Sequence, residues 1–167
     1  MAYFFVLLGI VFRLIPHLPN ATPVAAIALF GGSYLDRRTA LLIPLLIMIA
    51  SDLILGLHSL IFFTWGAFLL TGLIGLWLKD HKTTPNIIGS TIASSLCFYL
   101  ITNFGVWAVP GSWYPHTISG LVNCYVMGLP FLRFSLLGDL AYVAVLFGLY
   151  EFARAAAVRF IPLKRSI

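Results

Sequence analysis

The stretch Arg13-Leu14-Ile15-Pro16-His17-Leu18-Pro19-Asn20-Ala21-Thr22-Pro23-Val24 decides how the rest of the chain is read. One apolar run enters it and another leaves it, yet Pro16, Pro19 and Pro23 fall between them. Proline lacks a backbone donor and pushes the residue before it out of helical conformation, so the segment breaks the helix. The break carries Arg13, His17 and Asn20. Open backbone and polar groups of this kind are costly in lipid, and are tolerated where protein or a wet cavity surrounds them. The expectation is that the break forms one wall of a ligand site, with the other spans arranged around it.

Composition supports a membrane setting. Of 167 residues, 61% are hydrophobic and 9% charged, against roughly 25% charged in soluble domains. The chain therefore reads as one all-α transmembrane domain over residues 1–167. The net charge of +5 does not point to nucleic acid, because the basic residues sit in short clusters between apolar runs. The excess of Lys and Arg on cytoplasmic loops accounts for that pattern. Met1 to Ile15 lacks a basic n-region and a small-residue cleavage site, so it reads as a first span and not a signal peptide. Cys97 and Cys124 lie in apolar segments without CxxC spacing and read as buried thiols.

Crossing a bilayer takes about 17–25 apolar residues. Candidate segments cover 2–17, 22–35, 39–57, 60–78, 87–108 and 134–153. A further short run, 118–129, is set off by Pro130 and Arg133. Arg37/Arg38, Lys79/Lys82 and the basic tail should all face the cytoplasm. Three apolar runs separate the second cluster from the tail, and an odd number cannot return to the same side. The run 118–129 is therefore read as a partial or re-entrant helix on the outer side. The result is six transmembrane helices with both termini cytoplasmic.

This topology gathers the polar residues in the outer half. Arg13, His17 and Asn20 belong to the break, Asp52 and His58 to the end of span 3, and Asn103 and Trp107 to span 5. His116 lies in the outer loop with Trp113 and Tyr114, and Asn123 lies in the partial helix. Arg133 and Asp139 open span 6. Intramembrane ionisable residues are costly and face a bundle interior or a wet cavity, which makes these positions candidate ligand-binding residues. The ligand would be polar or partly anionic. Two other readings stand beside this one. Arg13–Asp52 and Arg133–Asp139 could be structural ion pairs. His17, His58 and His116 with Asp52 could hold zinc, although no HxxxH spacing is present. Small residues Ala25, Ala28 and Gly32 permit close helix approach, either inside the bundle or as a docking face for a partner.

Several stretches carry a resemblance. Arg13-x-x-Pro-His-x-Pro-Asn-x-x-Pro-Val-x-Ala-x-Ala-Leu-Phe-x-Gly32 resembles a motif of uncharacterised bacterial inner-membrane proteins. So do Ser51-Asp52-Leu53, Thr102-Asn-Phe-Gly-Val-Trp107 and Pro130-Phe-x-Arg-x-x-Leu-x-Gly-Asp139. That group is similar to the substrate-binding S components of energy-coupling-factor (ECF) vitamin transporters, with six spans, an early Leu-Pro-x-x-x-Pro break and a Pro-led start to the last span. The resemblance implies a bacterial inner-membrane location and capture of a vitamin or similar micronutrient from outside. It also implies docking of small-residue helix faces on a coupling subunit driven by two ATPases. Leu18-Pro-Asn-Ala21 further resembles cobalamin-specific S components thought to work alone, which makes cobalamin one possible substrate; neither Cys97 nor Cys124 maps onto the cobalt-ligating cysteine of that group.

No Walker motif, GxSxG or HExxH is present, so the chain is expected to have no catalysis and no resident cofactor. Three readings follow. The first is a substrate-binding subunit for micronutrient uptake. The second is a membrane-embedded, metal-dependent enzyme using Asp52 and a histidine. The third is a structural or assembly subunit whose charges are only ion pairs.

Overall fold

The computed structural model describes residues 2–15 and 20–160. They form six helices: α1 (Ala2–Leu14), α2 (Val24–Tyr34), α3 (Arg37–Leu55), α4 (Ile61–Asp80), α5 (Thr84–Ala108) and α6 (Ile118–Phe160). Two of the starts are fixed by side chains. Asp36 accepts the Thr39 N–H at 3.0 Å and Thr83 accepts the Asn86 N–H at 3.3 Å, which satisfies donors that a helix N-terminus leaves open. The Thr39 N–H holds the Asp36 carboxyl below the ordinary carboxylate range.

Four helices, α3 to α6, are long and apolar enough to cross a membrane. Large apolar side chains such as Leu53, Phe62, Val145 and Leu149 stand exposed on them, as hydrocarbon requires and water would not favour. The other two are short. At roughly 1.5 Å per residue, α1 with 13 residues and α2 with 11 fall well below the about 30 Å of a hydrocarbon core. Neither crosses alone, which narrows the expectation of six transmembrane helices to four helices of sufficient length.

A second expectation is corrected outright. Residues 118–129 do not form a partial helix separate from 134–153; both belong to the single helix α6, 43 residues long, with Pro130 inside it. Proline removes one backbone hydrogen bond, but residues on both sides of it stay seated on α5. Gly128 meets the Asn103 side chain, and Asp139 accepts the Ser95 hydroxyl. Tertiary packing holds the helix through the proline, as it also does at Pro44 within α3. The even count demanded by the basic clusters is met because the two runs are one helix.

At the centre stands α2. Every residue from Val24 to Ser33 is buried, as expected of a helix that is apolar or small on all sides. Its tightest contact is with α4, where a Cβ on Gly32 would lie 2.5 Å from the Gly75 carbonyl carbon. Ala25, Ala28 and Gly32 are thus packed inside the chain, and the expectation that they form a partner-docking face is corrected. They are small because helices meet there.

Contacts at the end of α2 orient the bundle. Lys79 Nζ donates to the Leu35 carbonyl at 3.1 Å, the Lys82 ammonium lies 3.6 Å over the Tyr34 ring, and the Tyr34 hydroxyl donates to Glu151. The basic loops and the end of α6 therefore share one end. Asp52 lies fifteen positions beyond Arg37 along α3, about 22 Å away at the helical rise, so Arg13 and Asp52 mark the opposite end. Gly32→Ala should destabilise the protein by about 1–3 kcal/mol, the usual range for overpacking. Gly66→Ala, in open space on α4, should be neutral or stabilising by about 0.5–1 kcal/mol. Thermal unfolding in detergent compares the two, and equal effects would contradict the packing described.

Candidate ligand site

Arg13 ends α1 and Asp52 occupies the last turn of α3. Arg13 Nη2 donates to Asp52 Oδ1 at 2.6 Å and Nη1 donates to Met48 Sδ at 2.7 Å. The second carboxylate oxygen, Asp52 Oδ2, accepts the Trp65 indole N–H from α4 at 2.8 Å. The side chains are 16% and 1% exposed. One buried carboxylate thus ties three helices together, and its charge is matched by the guanidinium and spread over two donors. His58 adds a looser partner, its Nε2 standing 3.9 Å from Asp52 Oδ2. His58 Nδ1 accepts the Leu60 N–H at 3.2 Å, so in the neutral ring the proton sits on Nε2 and faces the carboxylate.

A cavity of about 260 Å³ opens beside this pair. Arg13, Asn20, Thr22 and His58 line it, and Thr64, Ser135 and Asp139 lie among its other lining residues. Phe68 and Phe98 supply an aromatic wall, their rings 5.0 Å apart. Asp139 is 5% exposed, and its Oδ2 accepts the Ser95 hydroxyl from α5 at 2.6 Å. A second, more apolar cavity of about 350 Å³ adjoins the first and shares Asn20, Thr64 and Phe98 with it. Trp113 and Tyr114 of the α5–α6 loop, with Met127 and Phe131 of α6, belong to it. Asn20 sits where the two meet. Its φ of 60° is left-handed, a conformation that asparagine adopts more readily than most residues.

The structure divides the expected site residues. Arg13, Asn20, His58 and Asp139 line the first cavity, with Asp52 behind Arg13. Asn103 lines the second and donates to the Tyr99 carbonyl at 2.8 Å. The others stand elsewhere. Arg133 is exposed and six positions before Asp139 on the same helix, which at about 100° per residue turns it to a different face. It forms no ion pair among the described residues, so the alternative of a structural Arg133–Asp139 pair is corrected. Asn123 is exposed and lines neither cavity. Trp107 donates its indole N–H to the Pro115 carbonyl at 3.0 Å, with His116 edge-on to its ring at 5.5 Å. Both brace the α5–α6 loop and line neither cavity. His17 lies outside the described residues, and no group of three or more His, Cys, Asp or Glu side chains converges among those described.

Sequence reasoning missed Trp65, Thr22, Thr64, Ser95 and Ser135. One signal was available: Ser135 and Asp139 are four apart and share a helix face. Thr64 and Ser95 carry no such mark among the many hydroxyl residues on these helices. Asp52→Ala should destabilise the protein by about 3–5 kcal/mol, because it strands the Arg13 charge in the interior. The double variant Arg13→Met with Asp52→Leu should unfold at a higher temperature than Asp52→Ala alone. A double variant no more stable than the single one would refute this account of the pair.

No match was found among curated proteins or solved structures. The agreement that does exist extends over nearly the whole chain: a family model matches residues 1–161, and the protein belongs to that family of unknown function, DUF6580.

Proposed function

We propose that this protein is a membrane-embedded binding subunit for the uptake of a vitamin-like small solute, similar in role to the S components of ECF transporters. The observation that carries this reading is the first cavity. Within a bundle whose outside is apolar, it gathers Arg13, Asn20, His58, Ser135 and Asp139 around a space of about 260 Å³. Polar groups inside a membrane bundle are costly, and they converge where they meet a solute or an ion. Thr22 and Asn20, from the segment between α1 and α2, supply part of the wall.

The proposed mechanism is capture from the side opposite the basic loops, followed by release to the cytoplasm. The chain contains no nucleotide-binding motif, so a partner complex with ATPases would drive the release. Because the small residues of α2 are buried, such a partner would dock on the lipid-facing surfaces of other helices. In this reading the basic loops and both chain ends face the cytoplasm of a bacterium, as the distribution of Lys and Arg favours. The Arg13–Asp52 pair is also what a purely structural subunit would need, and that reading is the alternative if no ligand is found.

Two outcomes are expected. Native mass spectrometry of protein extracted gently from its own membrane should show a retained small molecule. Thr64→Phe, at a half-buried position that lines both cavities, should lose that molecule while still forming the folded protein; a wild-type mass with nothing bound would favour the structural alternative. In a cysteine-free background, Ser112→Cys should react with an impermeant maleimide added outside cells, and Lys82→Cys should react only after permeabilisation. Reversed labelling would overturn the proposed orientation.

A further inference from the structure

The charges around the first cavity do not balance, and the imbalance points to a ligand class. Arg13 gives the site its cationic appearance in the sequence, but Asp52 already neutralises it at 2.6 Å. One further donor of that guanidinium, the Nε N–H, has no partner among the described residues and is buried away from the cavity space, so the group faces a ligand as the cationic half of a pair already made and not as a free charge. Asp139 is different. It lines the cavity, is 5% exposed, and its one hydrogen bond comes from the neutral Ser95 hydroxyl. No cationic side chain lies within ion-pairing distance of it among the described residues. The group left without an ion-pair partner on the cavity wall is therefore a carboxyl, whose charged form a cationic ligand would favour.

The neighbouring surfaces suit the same kind of ligand. Phe68 and Phe98 line the cavity that Asp139 faces, and aromatic faces attract cations, most strongly where water is excluded. Phe98 also borders the second cavity of about 350 Å³, where Met127, Phe131 and Trp113 offer an apolar compartment. A buried carboxylate without a cation is costly unless a ligand supplies one. Among the described residues Arg13 is the one Lys or Arg that lines this cavity, and it is already paired with Asp52, so an anionic ligand would meet this carboxyl without an unpaired Lys or Arg to hold it.

We propose that the ligand is a small organic cation, its charged nitrogen paired with Asp139 beside Phe68 and Phe98 and its apolar body extending into the second cavity. This rests on the binding-subunit reading and narrows it to one class of solute. The test uses full-length protein in lipid nanodiscs and three probes of similar shape: phenethylammonium, phenethyl alcohol and phenylacetate. Binding is read from tryptophan fluorescence, since Trp65 bonds Asp52 and Trp113 borders the second cavity.

Phenethylammonium should bind at least about tenfold more tightly than either of the other two, the order expected for a desolvated charge pair. Asp139→Asn should remove that preference while leaving the weak binding of the alcohol unchanged, and Asp139→Glu should keep part of it. Equal or tighter binding of phenylacetate, or no binding by any probe, would overturn the proposal, as would a preference that survives Asp139→Asn. The ranking in the wild-type protein decides the matter if the variants do not fold. A retained native molecule that is neutral or anionic would remove the cation proposal and leave the binding reading in place. The absence of both a retained molecule and probe binding would remove both.

Discussion

The burial of α2 on every side is the constraint on which the rest of this structure depends. A short helix of Ala, Gly, Leu and Phe residues has no polar face to give to water and no length to cross a membrane. It is stable where other helices surround it, and the backbone contact between Gly32 and Gly75 shows how closely they do so. Small residues remove little apolar surface individually, but they let neighbouring helices approach until dispersion contacts accumulate. With α2 at the centre, the chain just before it must also enter the protein. That places Asn20 and Thr22 at the wall of a cavity instead of in lipid.

The Arg13–Asp52 pair performs a related task at the cavity end. Desolvating two charges is costly, and the attraction between them repays that cost only with good geometry and further hydrogen bonds. Here Met48 and Trp65 provide those additional contacts. The pair joins α1, α3 and α4 at the mouth of the cavity and fixes where its walls begin. Asp139 has no ion-pair partner among the described residues. The two carboxyls lie in one bundle under different conditions, one holding helices together and the other lining the cavity with a hydrogen bond from Ser95.

Much of this was legible in the residues. Apolar length gave the helices, three prolines gave the break, and costly charges in apolar runs singled out Arg13, Asn20, Asp52, His58 and Asp139. The misreadings share a cause. Pro130 looked like a terminator because a local rule was applied to a helix that packing on α5 holds intact. Arg133 was grouped with Asp139 by proximity along the chain, although helical geometry turns the two to different faces. Ala28 and Gly32 carried the signature of close helix approach, but a single sequence does not say whether the partner helix belongs to the same chain.

The sequence by itself determined a membrane-embedded helical chain, its basic loops, its break and the short set of residues that lipid would not tolerate unpaired. These follow from transfer energies and backbone sterics, which act residue by residue. Tertiary structure alone decided which charges cancel. Whether Arg13 serves a ligand or Asp52, and whether Asp139 meets Arg133 or an open cavity, depends on distances of a few ångströms between separate helices. Coulombic and hydrogen-bond energies change steeply over that range, and no spacing along the chain encodes it.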